Sequence, residues 1–145
     1  MTQLEPYRVL LVDDDESLLQ SMEAVLAEQF EVRCCSSAAD AMSVLNRESF
    51  HVVCADWQMP GMDGIAFFQA VSRLRFALLP CFVLVTAHAG ELLDRVPYED
   101  RRMLGMLRKP FSPRQLIQRV NQFASVAHSK RSNPAPDVAA SEERK

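Results

Sequence analysis

Short apolar runs alternate along this chain with stretches whose apolar residues recur every three or four positions. Residues 7–12 (Tyr-Arg-Val-Leu-Leu-Val) form the first run, which stops at Asp13-Asp14-Asp15. Leu18, Leu19, Met22, Val25 and Leu26 follow at helical spacing, which predicts an amphipathic helix over residues 15–29. Residues 30–35 are a second strand candidate. Ser37-Ala38-Ala39-Asp40 has the pattern of a capping box, and Ala41, Val44 and Leu45 continue it as a helix stripe. The third strand is expected at residues 51–55, ending on Asp56 and followed by a loop with Pro60, Gly61 and Gly64. Asp63 is placed to cap a helix carrying Ile65, Phe68, Val71 and Leu74. Residues 81–85 form a fourth apolar run, closed by Thr86. Leu92, Leu93 and Val96 suggest a further helix that Pro97 should end or kink, because proline lacks a backbone donor. Residues 103–108 are the fifth strand candidate, ending at Lys109-Pro110. Ser112-Pro113-Arg114-Gln115 supplies an N-cap, a first-turn proline and a capping glutamine for a last helix with the stripe Leu116, Ile117, Val120, Phe123 and Ala127. From Ser129 onward Ser, Pro, Ala and mixed charges replace periodicity. The expected division is therefore a folded domain at residues 1–128 and a disordered tail or linker at 129–145.

Five strands alternating with helices predict an α/β fold, a doubly wound parallel sheet with helices on both faces. The strands read as nearly continuous apolar runs, as burial on both faces requires. In such sheets ligands sit outside the carboxyl ends of the strands. Asp13 and Asp14 end the first strand, Asp56 the third, Thr86 the fourth and Lys109 the fifth, so all five share one edge.

Composition narrows the class without choosing the chemistry. At 145 residues the chain is about one domain long. A hydrophobic share of 48% and a charged share of 24% belong to an ordinary soluble globule. The net charge of −3 comes with no basic block, which argues against direct nucleic-acid binding. No run reaches the length of a membrane span or a signal-peptide core, so the expected location is the cytoplasm. Cys34 and Cys35 are adjacent while Cys54 and Cys81 lie alone in apolar runs, and His51, His88 and His128 have no ligand-like spacing. The cysteines are read as buried or half-buried free thiols without chemistry.

Each residue on the shared edge has an ordinary role when taken singly. Asp56 can be a turn-maker, Thr86 a strand end, Lys109 a surface lysine and Met59-Pro60-Gly61 a plain turn. Together they specify something narrower. Three carboxylates on one edge repel one another, and a divalent cation removes that conflict. Carboxylates, a loop carbonyl and water are hard oxygen ligands that suit Mg²⁺. A carboxylate beside the metal can act as a nucleophile toward a phosphoryl group. The metal and Lys109 would neutralise charge on the phosphoryl oxygens, and the Thr86 hydroxyl could hydrogen-bond one of them. The combination describes phosphoryl transfer to Asp56.

The residues Leu11-Val12-Asp13-Asp14-Asp15, Asp56-Trp57-Gln58-Met59-Pro60-Gly61-Met62-Asp63-Gly64, Thr86-Ala87 and Lys109-Pro110-Phe111 resemble the motifs of a known family. It is the receiver domain of two-component response regulators (CheY-like), and the resemblance spans roughly residues 7–127. It implies the strand order 2-1-3-4-5 of the flavodoxin/CheY-like fold. It also implies that Asp56 is the phosphoacceptor, loaded by a sensor histidine kinase, a phosphotransfer protein or a small acyl phosphate. Asp13 and Asp14 match the acidic pair, Gln58 falls where the family uses a backbone carbonyl as a Mg²⁺ ligand, and Asp56 completes the metal site. Thr86 matches the switch hydroxyl and Lys109 the phosphate-binding lysine, whose bond to Pro110 is typically cis in the family. Asp15 is read as an N-cap. The implied protein is a phosphoacceptor switch with self-catalysed phosphotransfer and autodephosphorylation rather than an enzyme. It would change its affinity for a downstream protein, and a phosphorylation-linked homodimer is among the partners implied.

Three positions depart from the family pattern. Met106 stands three residues before the lysine, where the family often has Tyr or Phe, and a flexible thioether has no ring or hydroxyl to report. Pro97 interrupts the expected fourth helix. Trp57, Gln58 and His88 occupy positions that in the family tune phosphoryl lifetime, and His88 is read mainly as a solvated loop histidine. Two other classes compete. A Mg²⁺-dependent phosphatase with Asp13 or Asp15 as nucleophile would need a substrate cap, which no remaining stretch supplies. A flavodoxin-like FMN carrier would need Ser, Thr and Gly after the first strand, where this chain has acids. With no helix-turn-helix or enzymatic domain after residue 128, the expectation is a stand-alone regulator. The alternatives are a receiver fragment of a longer multidomain regulator, or an atypical receiver without the usual Thr/aromatic switch.

Overall fold

The computed structural model describes residues 5–74, 79–88, 94–96 and 103–132. Within them, five strands and four helices follow in the order β1 (Arg8–Val12), α1 (Glu16–Leu26), β2 (Glu31–Cys35), α2 (Ala38–Leu45), β3 (Val52–Asp56), α3 (Gly64–Arg73), β4 (Cys81–Thr86), β5 (Leu104–Arg108) and α4 (Pro113–Ser132). All strand pairs are parallel and the sheet order is β2-β1-β3-β4-β5. The α/β doubly wound fold expected from the sequence is the one present.

Strand alternation divides the apolar residues between two cores. Leu10, Val12, Val53, Ala55, Phe82, Leu84 and Leu104 point to one face, where α2 and α3 cover them. Val9, Leu11, Val52, Cys54, Val83, Val85 and Leu107 point to the other, under α1 and α4. The middle strands β3 and β4 are buried along their whole length. At the sheet margin β2 alternates exposed and half-buried positions before Cys35, as an edge strand does. Gly105 sits where β5 meets α4, and a Cβ there would collide with the ring of Phe123.

Helix starts follow the expected capping chemistry. Asp15 accepts from the Leu18 amide at 3.2 Å, Ser37 from Asp40 at 3.1 Å and Asp63 from Ala66 at 2.8 Å. Ser112 and Gln115 cap α4 reciprocally, at 3.1 and 2.8 Å.

Several boundaries differ from expectation. Helix α1 stops at Leu26 rather than residue 29, because Phe30 must turn inward, where it is buried. The third and fifth strands shift or shorten by one residue, to Val52–Asp56 and Leu104–Arg108, so Asp56 is itself the last strand residue. The last helix, α4, runs past Ser129 to Ser132, and the Arg131 guanidinium donates to the carbonyl of Phe50. Residues 133–145 lie outside the described residues. So does most of the helix expected around Leu92 and Leu93, and so does Pro97.

Candidate functional site

The carboxyl edge of the sheet gathers the residues the sequence singled out. Asp13 follows β1, and its amide donates to the Cys35 carbonyl at 3.2 Å, which ties it to the end of β2. Its own carboxylate accepts the Asp15 amide at 2.9 Å. Asp56 ends β3 in register with Val85, two strands from Lys109. Asp13 and Asp56 are 4% and 8% exposed, while Asp14 is exposed. One carboxylate oxygen from each of the three lies within 4.8 Å of the others.

That clustering has an electrostatic cost. Burial, with the charge of Asp56 adding to it, pushes the Asp13 carboxyl up to about 6. Burial likewise raises Asp56, opposed by Lys109, whose Nζ stands 3.1 Å from Oδ1. One lysine faces three acids. The donor set fits a small hard cation: it is all oxygen, two of its members are sheltered from water, and their charge is incompletely balanced among the described residues. Asp13, Asp14 and Asp56 are therefore the residues that could hold Mg²⁺.

Thr86 ends β4 with 3% exposure. Its hydroxyl oxygen accepts the His88 amide at 2.8 Å, and its carbonyl accepts the Lys109 amide at 2.8 Å. The lysine and the hydroxyl are thus fixed relative to each other by backbone. The Lys109-Pro110 bond is cis. Gln58 is exposed in the loop after β3. Gly64 closes that loop by donating to the Trp57 carbonyl at 2.7 Å, and a Cβ there would stand 2.9 Å from the Asp56 carbonyl oxygen. Only glycine lets α3 begin so close to the end of β3.

The structure brings Asp13, Asp14, Asp56, Thr86 and Lys109 to one place. Met106 is half-buried against the core shared with α2 and α3, so no ring of β5 reaches toward Thr86 from that position. Sequence reasoning did not single out Arg95, whose guanidinium lies 5.6 Å over the Trp57 ring and whose Nη2 is 3.6 Å from Asp63. No local pattern marks such a residue, since its partners are more than thirty positions away. His88 is exposed and sets its ring edge-on to Trp57, with 6.5 Å between centroids.

Comparison with known proteins agrees with this geometry. Residues 9–121 match the family described as the response regulator receiver domain. The chain is 33% identical over 118 residues to the transcriptional regulatory protein GlrR of Escherichia coli (strain K12), covering 81% of this chain and 26% of that protein. It is 34% identical over 114 residues to the transcriptional regulatory protein GltR of Pseudomonas aeruginosa, covering 77% of this chain and 46% of that protein. It therefore spans about a quarter to just under a half of the length of these curated relatives. Among solved structures, the chemotaxis response regulator CheY4 of Vibrio cholerae superposes with a TM-score of 0.70 at 24% identity, over 81% of this chain and 98% of that one, and so shares the fold. The chain belongs to the receiver-domain family of two-component response regulators, whose members are signalling switches. Among the described residues no helix is long and apolar enough to cross a membrane.

Proposed function

We propose that Asp56 accepts a phosphoryl group from a histidine kinase, a phosphotransfer protein or a small acyl phosphate, and that the modified edge changes affinity for a protein partner. The observation that carries this reading is the Asp13, Asp14 and Asp56 cluster with Lys109 3.1 Å from Asp56. An Asp56 carboxylate oxygen attacks phosphorus as the bond from phosphorus to the donor atom breaks, and the donor leaves with that electron pair. Lys109 faces the carboxylate from the β5 side, where its ammonium can balance charge on the phosphoryl oxygens. Thr86 keeps a hydroxyl proton free to donate to one of them while still accepting from His88. Asp13, Asp14, Asp56 and the Gln58 carbonyl would hold Mg²⁺, which supplies further charge neutralisation when bound.

The reading is a switch rather than a turnover enzyme, and the phosphoryl group is lost by hydrolysis at the same site. A receiver fragment of a longer regulator is the second reading, favoured by the greater length of GlrR and GltR. Intact mass after incubation with Mg²⁺ and acetyl phosphate tests the chemistry. One phosphoryl adduct is expected in the wild type and none without metal or in Asp56→Asn. An adduct that persists in Asp56→Asn would overturn the assignment.

A further inference from the structure

Charge is sorted between two neighbouring segments of this chain. Residues 13–31 carry seven acids and neither Lys nor Arg, whereas residues 108–131 carry six Lys or Arg and no acid. The first segment holds α1 and the second α4, which pack beside each other on the same face of the sheet. Between them runs an apolar groove of about 600 Å³, lined by Leu18, Met22 and Val25 of α1 and by Phe111, Pro113 and Leu116 at the start of α4. Glu16, Glu23, Arg114 and Lys130 are exposed, and none of the four enters an ion pair among the described residues. An acidic and a basic helix thus stand together with these charges unmatched.

The charges lie outside the groove, on opposite flanks. Glu16 and Glu23 are on the side of α1 that borders Cys34, Cys35 and Ser36 at the end of β2. Arg119 is on the far side of α4, where its guanidinium donates to the Met106 carbonyl of β5, and Arg114 and Gln118 are exposed beside it. From β2 toward β5 the face therefore reads acid, apolar groove, base. Both helices start at the carboxyl edge, so Glu16 and Arg114, each in a first turn, stand at one level. The crest of α1 offers Ser17, Ser21 and Ala24, which are exposed and small enough to let a facing helix come close. Such a face complements itself about one kind of axis. A two-fold axis parallel to the helices lays α1 of one copy on α4 of the other, acid on base twice over and groove on groove. A two-fold axis across the helices lays α1 on α1, like charge on like.

We infer that this face is an interface between two copies of the chain, with α1 of each copy packed on α4 of the other about a two-fold axis parallel to the helices. Glu16 of each copy then faces Arg114 of the other, and the two grooves close on one another. Charge selects this occupant, because a second copy carries both the acid and the base in the matching order. The pairs stand at the rim, so they set partner and register, while burial of the groove supplies the hold. The paired charges lie outside the acidic edge, and association needs no phosphoryl group on Asp56. The inference is therefore independent of the phosphoacceptor reading.

Sedimentation velocity of the full chain, without Mg²⁺ or phosphodonor, tests this over a concentration series at low and high salt. The wild type should form a reversible dimer that weakens as salt rises. Arg114→Glu and Glu16→Arg should each raise the dissociation constant about tenfold, because each substitution makes both copies of one contact repulsive. An equimolar mixture of the two variants should dimerise as tightly as the wild type, since in the mixed pair every reversed charge meets its complement. That recovery also shows that both variants are folded. A monomer at every concentration would overturn the inference and leave the groove to a different protein. A mixture no tighter than its components would overturn it too. So would a dimer strengthened by Glu16→Arg, which is the result expected of α1 on α1.

Discussion

The two edges of the sheet hold charge in opposite ways. At the amino edge, Arg8 meets Glu31 at 3.4 Å and Glu48 at 2.7 Å, and Arg33 also pairs with Glu48. His51 accepts the Arg8 amide on Nδ1 at 3.0 Å and packs its ring against Tyr7 and His128. Arg131 reaches back from the end of α4 to the Phe50 carbonyl. Arg8 and Arg33 are paired there with Glu31 and Glu48, whereas Arg131 meets carbonyl oxygens. At the carboxyl edge, three acids face Lys109, and burial raises two of them. The acids of the first edge each meet an arginine, whereas the three of the second cluster around one lysine among the described residues. An imbalance left in place at the ligand-binding end of an α/β sheet is the physical mark of a site.

The largest test of this contrast is pH. The folded Asp13 carboxyl is raised from 3.8 to about 6, so the folded chain binds this proton more tightly than the unfolded one. Without metal, stability should therefore fall as pH rises from about 4 to about 6, on the order of 2–3 kcal/mol from this group. His51 runs the other way. Burial, reinforced by the nearby charge of Arg131, lowers it from 6.5 to about 4, so its contribution is present above 6.5 and lost as pH falls toward 4. The half-buried ring stays partly hydrated, which limits that loss to about 1–2 kcal/mol. The two slopes oppose each other between pH 4 and 6. Urea unfolding without metal should show Asp13→Asn tilting the profile upward with pH and His51→Asn tilting it downward. Parallel profiles in the two variants would break the contrast.

The smallest expected effect lies on the amino edge. Glu48→Gln removes one side of two ion pairs near the surface and should cost less than about 1 kcal/mol, falling further in high salt. Phosphoryl uptake by Asp56 should be unchanged in this variant. A loss of uptake would mean that the edges are coupled, and intact mass alone would show it.

The acidic edge was legible in the sequence because its chemistry is written at strand ends, and strand ends are where periodicity breaks. Asp13, Asp56, Thr86 and Lys109 each close an apolar run, and parallel topology brings such closures together. The caps at Asp15, Ser37, Asp63 and Ser112 were legible for a similar reason, since each acts within three residues of itself. What escaped depends on contacts between distant positions. Nothing near Gly105 in the chain announces that Phe123 fills the space a side chain would need. The helical stretch past Ser129 is held by Arg131 on a carbonyl 81 residues earlier, beyond the reach of local composition. Arg95 reads as one more surface charge until Trp57 and Asp63 are placed beside it.

The most direct measurement of the difference between the edges is urea unfolding at pH 7.5 with and without Mg²⁺, in wild type, Asp13→Asn and Glu48→Gln. A site completed by the metal predicts that Mg²⁺ at ten times its dissociation constant stabilises the wild type by about 1.4 kcal/mol. The same increment is expected in Glu48→Gln and none in Asp13→Asn. No increment in the wild type, or an equal one in Asp13→Asn, would contradict the account.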